Sequence, residues 1–178
     1  MTARPWPMML AAAAGVHARL RELEPSHHAS TAPRPANTET VLRAYETETG
    51  ESLPPGYREF LLAADGWEAC YFQMDLFSLA ELRSGGTEAR GRKLLRLYDD
   101  EEVLEQLGID AVDVVPVAAG QRLNLVVVYR FGTDRAGEVV WIDAGEAVGR
   151  YPDFRAWFAD LAGRKYRALT RIDPAPPR

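Results

Sequence analysis

The segment LNLVVVYRF, residues 123–131, constrains the fold of this chain more than any other stretch. Leu125 and Val127 on one face, and Val126 and Val128 on the other, follow the two-residue period of a β-strand. Because both faces are apolar at the centre, the pattern predicts a central strand that is covered on each side. VDVVPVA before it is also β-rich, EVVWID after it predicts a hairpin partner, and AGEAVGRYP predicts the next turn.

A short helix with definite ends is predicted upstream, in LPPGYREFLLAADGW, residues 53–67. The pair Pro54–Pro55 presets the backbone of a first helical turn, where no N–H partner is needed. Gly66 suits the end of the helix, and Trp67 follows where a hydrophobic residue packs back on the last turn. The apolar stripe at i, i+3, i+4 and i+7 consists of Tyr57, Phe60, Leu61 and Ala64.

Further helices are predicted at residues 8–24, over NTETVLRAYETETG, and from the Pro-Asp pair that precedes FRAWFADLA. PSHHASTAPRPAN, between the first two helices, has no period and is rich in proline, which predicts a linker or loop. The first helix is therefore expected to be an appendage. The expected parts are an N-terminal helix and linker at 1–36, a folded domain at 37–170 and a flexible tail at 171–178.

A run of four acids, residues 99–102, has two interpretations. The polar residues 83–96 predict a loop that leads into a strand at LLRLY. DDEEVLEQLG then predicts a helix that Asp99 or Asp100 caps, with Glu101 and Glu102 at the positive end of the helix dipole. The alternative is that the acids form a surface for a basic partner.

Composition limits the classes of protein to consider. The net charge is −5 and the pI about 5.3, so a general nucleic-acid-binding protein with a basic patch is not expected. No stretch reaches the roughly 18 apolar residues of a membrane span. The apolar run near the N-terminus continues as an amphipathic helix, so we expect no cleaved signal peptide. The single cysteine, Cys70, excludes an intramolecular disulfide and favours a reducing, cytoplasmic compartment.

No arrangement of residues in the sequence indicates catalysis or a bound cofactor. His17, His27 and His28 lie in the N-terminal part, and neither a second histidine cluster nor a cysteine pair completes a metal site. Cys70 is far along the chain from these histidines, which favours a buried hydrophobic role over a nucleophilic one. Glycine-rich phosphate-binding motifs are absent. We therefore expect no catalytic residue, no cofactor and no metal.

The order of these segments resembles the SUKH superfamily, which includes the fungal Smi–Knr cell-wall synthesis regulators and many bacterial immunity proteins. The resemblance covers residues 38–162 and departs from the family where AAGQRL replaces an acidic, glycine-rich turn. It implies an α+β fold, a mainly antiparallel mixed β-sheet with helices packed against it. The positions that match the family's signature helix are Leu53, Pro54, Tyr57, Phe60, Leu61, Gly66 and Trp67.

The resemblance also implies a protein-binding module without an active site. Bacterial members look like immunity proteins that bind and block a cognate polymorphic toxin, often a nuclease or deaminase. We expect such a toxin domain as the partner, with no nucleic acid and no membrane. The alternative is a scaffold or regulatory module with peptide partners, similar to the fungal relatives. A third alternative is an uncharacterised hydrolase, which would require acids and arginines that converge in one deep pocket.

Seven residues are predicted to contact the partner. Acidic groups would attract a basic nuclease, and complementary charge speeds association. A tryptophan in the strand EVVWID is either an anchor of the interface or part of the core. The predicted residues are Asp99, Asp100, Glu101, Glu102, Asp134, Trp141 and Asp143.

Overall fold

The structure, a computed structural model, describes residues 5–84, 87–121 and 123–174. The helices within these ranges are α1 Trp6–Leu23, α2 Glu39–Thr49, α3 Pro55–Leu61, α4 Leu79–Ser84, α5 Thr87–Asp100, α6 Val103–Gln106 and α7 Phe154–Ile172. The strands are β1 Trp67–Tyr71, β2 Met74–Leu76, β3 Val114–Ala119, β4 Asn124–Tyr129, β5 Val139–Asp143 and β6 Glu146–Tyr151. The tail predicted at 171–178 lies partly outside the described residues.

The six strands form one antiparallel sheet in which neighbours in sequence are neighbours in space. β4 lies between β3 and β5, which confirms the prediction of a central strand. The turn predicted at AGEAVGRYP is only partly correct, because most of that segment is β6, an edge strand paired with β5. Its side chains do not alternate clearly between apolar and polar, so strand formation there depends on backbone pairing with β5.

Helices cover both faces of the sheet, which confirms the α+β fold. Val126 of β4 pairs with Trp141 of β5, whose ring contacts Trp157 of α7. Val127, the next residue of β4, pairs with Pro116, which lies against α5. Since successive side chains of a strand point to opposite faces, α7 and α5 lie on opposite sides of the sheet.

The helix α5 occupies the segment that was predicted to be a loop and a strand, so that prediction is wrong. Gly91, Leu94 and Tyr98 form a buried stripe at i, i+3 and i+7, while the charged residues face solvent. Glycine is favoured at the first of these positions, because an added Cβ would lie 2.9 Å from the Phe77 ring and 3.0 Å from Cβ of Pro116, so that one of these neighbours would have to move. The glycine that weakens the helical pattern in the sequence is therefore the point where α5 approaches the sheet.

The predicted helix in LPPGYREFLLAADGW is confirmed as α3. Tyr57 and Phe60 are fully buried, and the Tyr57 hydroxyl donates to the Phe77 carbonyl oxygen at 2.7 Å. Gly66 has φ +79°, and a Cβ there would lie 2.7 Å from the Leu76 carbonyl oxygen. Both the conformation and the space require glycine, which brings the chain back against β2.

The helix α1 packs on α7, and its side chains are part of the hydrophobic core. The Trp6 ring contacts Phe60 and Phe158 edge-on, with centroids 5.6 and 5.4 Å away. The linker after α1 also has fixed partners. Its Arg34 and Asn37 amides each donate at 3.0 Å to carbonyl oxygens in the α3–β1 region. The segment that was expected to be an appendage is thus tied to the folded domain through both side chains and backbone.

Candidate protein-binding surface

The four consecutive acids lie at the junction of α5 and α6, and all four are exposed. Asp99 and Asp100 are the last two residues of α5. Glu101 follows in a turn, and Glu102 precedes α6 with a left-handed backbone, φ 60°. None of the four forms an ion pair with another residue among those described.

This placement contradicts the prediction that Asp99 or Asp100 caps the following helix, whereas Glu101 and Glu102 do precede the N-terminus of α6 as predicted. The side chain of Glu102 makes no cap hydrogen bond, and α6 has only four residues. Asp99 and Asp100 lie at the C-terminal end of α5, where the exposed carbonyl groups carry partial negative charge. Aspartates there are repelled by the helix dipole and by one another, so the helix gains no stability from them.

The hydroxyl of Tyr98 holds three segments together beside these acids. It donates to the carbonyl oxygen of Leu123, in the β3–β4 connection, and accepts from the Gly145 amide at 3.3 Å. Gly145 belongs to the β5–β6 turn, where Asp143 pairs with Glu146. The turn therefore brings two further acids to the end of α5. We call Asp99, Asp100, Glu101, Glu102, Asp143 and Glu146 the acidic ridge.

Asp143 links the acidic ridge to the core through a chain of hydrogen bonds. The Asn124 amide nitrogen donates to a carboxylate oxygen of Asp143 at 2.9 Å, and Asn124 accepts from the Trp141 indole N–H at 2.8 Å. Trp141 is 2% exposed, so the structure places it in the core, one of its two predicted positions. Its indole N–H fixes the side chain of Asn124, which in turn binds Asp143, and its buried ring is not available to a partner.

Asp134 is the predicted residue that the structure does not bring to the acidic ridge. It is exposed in the β4–β5 connection, beyond Tyr129. The ridge lies at the other end of β4, where Asn124 pairs with Asp143. A strand of this length separates the two ends by about 17 Å.

Two exposed leucines lie beside the acidic ridge and were missed in the sequence. Leu97 is 40% exposed on the last turn of α5, and Leu123 is 41% exposed in the β3–β4 connection that Tyr98 holds. A mixture of exposed apolar groups with surrounding charges is common at protein interfaces. Leu97 would have been found only if its segment had been read as a helix.

A second group of polar residues lies under the linker, in the core. Lys165 of α7 is 2% exposed, and its Nζ lies 3.9 Å from the centroid of the Trp67 ring. His17 of α1 contacts the same ring edge-on, and its Nε2 lies 3.0 Å from the Ala29 carbonyl oxygen. The indole N–H of Trp67 donates to the Thr31 hydroxyl at 3.3 Å. The ring therefore joins α1, the linker and α7.

Burial controls the ionisation of this group. Desolvation lowers the pKa of Lys165 to about 8 and, together with the positive charge of Lys165, lowers the pKa of His17 to about 4. It raises the pKa of Cys70 to about 12, so the thiol is protonated at neutral pH. A protonated, fully buried thiol is a poor nucleophile, in agreement with the hydrophobic role predicted for Cys70.

The described residues contain neither a cluster of metal-ligating side chains nor a membrane-spanning helix. No group of three or more histidine, cysteine, aspartate or glutamate side chains within 5–84, 87–121 and 123–174 is placed to hold a metal ion. Within the same ranges, the helices are too short or too polar to cross a membrane.

The fold and the surface together describe an α+β domain with an acidic patch at one end of an antiparallel sheet. The chain matches the SMI1 / KNR4 family (SUKH-1) over residues 36–160 and belongs to that family. This confirms the resemblance carried by LPPGYREFLLAADGW. The match begins at the end of the linker, so α1 lies outside it. A comparison with curated proteins found no match.

Proposed function

We propose that this protein is an immunity protein, which binds a cognate bacterial toxin domain and blocks it by occupying its surface. Membership of the SMI1 / KNR4 family (SUKH-1) is the observation that carries the proposal. The family is generally non-catalytic, and a non-catalytic role for this chain is part of the proposal. An immunity protein of this kind acts in the cytoplasm of the cell that it protects.

The acidic ridge is the proposed contact surface. Its four consecutive carboxylates have no cation partner among the described residues, and Asp99 and Asp100 lie at the end of α5 that the helix dipole makes unfavourable for negative charge. A toxin that cleaves or modifies nucleic acid must attract phosphate groups, so its active-site surface is basic. A basic surface would be steered toward the ridge and, once docked on it, would be closed to its substrate.

The leucines beside the ridge complete the proposed interface. Leu97 and Leu123 supply apolar area that becomes buried on docking, while the carboxylates around them set orientation and partner choice. Apolar area gives an interface its affinity more reliably than exposed charges, which salt screens. A partner should therefore lose association rate before it loses all affinity when the salt concentration rises.

The proposal is tested with the toxin-domain protein encoded beside this chain. The chain and the toxin are co-expressed in a bacterial host, and colony formation is compared with and without the chain. The purified toxin domain is also assayed while the chain is added. We expect growth to be restored and the toxin's activity to fall to zero at one chain per toxin.

Failure to bind the toxin at micromolar concentrations, with growth unrestored although the chain is expressed and folded, would rule out immunity. A regulatory module with peptide partners, the alternative within the same family, would then become the leading explanation. Destruction of the toxin's substrate or product by the chain itself would instead show an enzymatic function.

A further inference from the structure

A groove with an apolar lining runs between α1 and α7, on the side of the sheet away from α5. Its volume is about 480 Å³. Small residues from both helices form its floor, and Met9, Val16 and Tyr166 form its walls. Tyr166 is 50% exposed, and the neighbouring Met8 is 59% exposed. The floor residues are Ala12, Ala13, Ala159, Ala162 and Gly163.

The dimensions of the groove suit a helix. The groove runs along eight residues of each helix, from Met9 to Val16 and from Ala159 to Tyr166, which is a length of about 10 Å at 1.5 Å per residue. Two helical turns display apolar side chains at i, i+3, i+4 and i+7, the pattern by which amphipathic helices fill grooves. Alanines and a glycine on the floor allow the backbone of such a helix to approach closely.

The rim of the groove is basic, although the whole chain has a net charge of −5. Of the five basic side chains of α7, Lys165 is buried in the core, and Arg155 and Arg164 are paired with Glu59 and Asp160. Arg167 and Arg171 remain for the rim. On α7, Arg167 and Arg171 follow Gly163 at intervals of four residues and so share its side of the helix. A Cβ added to Gly163 would lie 3.3 Å from a guanidinium nitrogen of Arg167, so that charge overhangs the groove.

The charge of Arg167 is only weakly neutralised. Its side chain is 58% exposed and lies 3.4 Å from Asp160, whose carboxylate already accepts from Arg164 and from Tyr151 at 2.8 Å. Arg171 is exposed and forms no ion pair within the described part of the chain. At the α1 side, by contrast, Arg19 is paired with Glu22 and Asp173. The excess positive charge therefore lies along the α7 side of the groove.

We propose that this groove binds an amphipathic helix of a partner protein, with apolar side chains in the groove and carboxylates facing Arg167 and Arg171. The apolar floor supplies the buried area, and the one-sided basic rim selects acidic helices and fixes their orientation. The groove lies between α1 and α7, whereas the acidic ridge lies where α5 and α6 meet the β5–β6 turn, and the two surfaces carry opposite charge. The groove is therefore a second binding surface, whose occupant differs in charge from the partner proposed for the ridge.

The test uses two synthetic helical peptides of 14 residues and the full chain. Both peptides have leucine at positions i, i+3, i+4 and i+7; one has glutamate at every flanking position, and the other has lysine there. Binding is measured by fluorescence anisotropy, and the contacted residues are mapped by NMR of alanine methyl groups. We expect the acidic peptide to bind at least about tenfold more tightly than the basic one, with shifts at Ala12 and Ala159.

Two variants with matched controls locate the site. Ala159→Glu places a charge in the exposed floor of the groove, and Ala18→Glu makes the same change on an exposed position of α1 outside it. Arg167→Glu reverses the rim charge, and Arg43→Glu does so on α2, where that side chain is 75% exposed. We expect Ala159→Glu to weaken binding of the acidic peptide about tenfold and Arg167→Glu to reverse the peptide preference. The controls should do neither.

Three results would overturn the proposal. The first is no binding of the acidic peptide, or equal binding of both peptides. The second is binding that the groove variants leave unchanged while circular dichroism shows that they are folded. The third is concentration-dependent dimerisation of the chain, measured by light scattering, that Ala159→Glu abolishes, since the occupant would then be a second copy. Loss of toxin binding would leave this test unaffected.

Discussion

At the residue scale, the buried cluster of Lys165, His17 and Trp67 has the strongest consequences for stability. Lys165 is almost fully buried, contacts the face of Trp67 and has no hydrogen-bond acceptor within the described part of the chain. The cation–π contact offsets part of the cost of burying the ammonium group, and burial lowers the pKa of Lys165 to about 8. The lysine is therefore a source of instability in the core.

Replacing Lys165 by methionine should raise stability at pH 7. Methionine fills a similar volume without a buried charge, and we expect a gain of about 1 to 3 kcal/mol in the free energy of unfolding. Because the pKa of the folded chain is about 8, against 10.5 for the free side chain, the native protein should gain stability as pH rises from 8 to 10. Urea denaturation at pH 7 and pH 10 measures both effects. A K165M variant that is less stable at pH 7 would contradict this account.

His17 should make the fold sensitive to acid. Its pKa is about 4 in the folded chain and 6.5 when free, so only the unfolded chain gains a proton between these values. Stability that is fully present above pH 6.5 is therefore lost as pH falls toward 4, by up to about 3 kcal/mol. His17→Gln retains a donor for the Ala29 carbonyl oxygen and removes the titration. The difference in unfolding free energy between wild type and H17Q, measured from pH 7.5 to 4.5, should change only below about pH 6.5; a constant difference would contradict this.

At the scale of elements, the failures of sequence reasoning share a physical cause. α2, α3 and α7 were predicted because their apolar stripes and end signals lie within the elements themselves, as with the Thr38 and Asp153 caps. α5 was missed because Gly91 weakens the helical pattern, and the reason for a glycine there is its close contact with Phe77 and Pro116, which are distant in sequence. β6 was missed because its formation depends on pairing with β5. Neither the contact of Gly91 with the sheet nor the pairing of β6 with β5 can be recognised from the local sequence pattern.

The contribution of Gly91 to the packing of α5 on the sheet can be measured separately from the low helix propensity of glycine. Gly91→Ala raises helix propensity but puts a methyl group against Phe77 and Pro116, so we expect a loss of about 1 kcal/mol or more. Gly15→Ala in α1 is the matched control, because nothing lies within 4 Å of the added Cβ. It should gain about 1 kcal/mol. Thermal unfolding of both variants checks the prediction, and a G91A variant as stable as G15A would disprove the tight approach of α5 to the sheet.

The acids that end α5 should reduce stability. In Asp99→Asn/Asp100→Asn, the repulsion by the helix dipole is removed, and we expect a gain of about 0.3 to 1 kcal/mol for each charge at low salt. The control is Glu68→Gln/Asp134→Asn, which removes two exposed acids elsewhere. Its stability should change little. If instead D99N/D100N destabilised the chain, these acids would have a structural role.

At the scale of the whole molecule, opposite charges are concentrated in two separate places. The acidic ridge lies where α5 and α6 meet the β5–β6 turn, and the basic groove lies between α1 and α7. The sequence predicted most members of the ridge, because four of its acids are consecutive. It also predicted Asp143 as a contact residue, but not the contact of Tyr98 with the β5–β6 turn that brings Asp143 and Glu146 to the end of α5. The groove was not predicted either, because α1 was expected to be an appendage.

The hydrophobic core includes residues that lie outside the range matched to the family. The match covers residues 36–160, whereas Trp6 of α1 and Lys165 of α7 lie outside it and are buried against residues within it. The flanking helices are thus part of the folded body of this family member. They add the groove between α1 and α7, whose exposed arginines contrast with the acids of the ridge.

The most direct test of the central claim is the association rate of this chain with the toxin domain encoded beside it, measured at several salt concentrations. For the wild-type chain, we expect the rate to fall steeply as salt rises, because the acidic ridge steers the encounter. D99N/D100N should associate about tenfold more slowly at low salt and depend less on salt, while the Glu68→Gln/Asp134→Asn control should match wild type. Equal rates for all three proteins, or no association at all, would contradict the claim that the ridge binds a toxin.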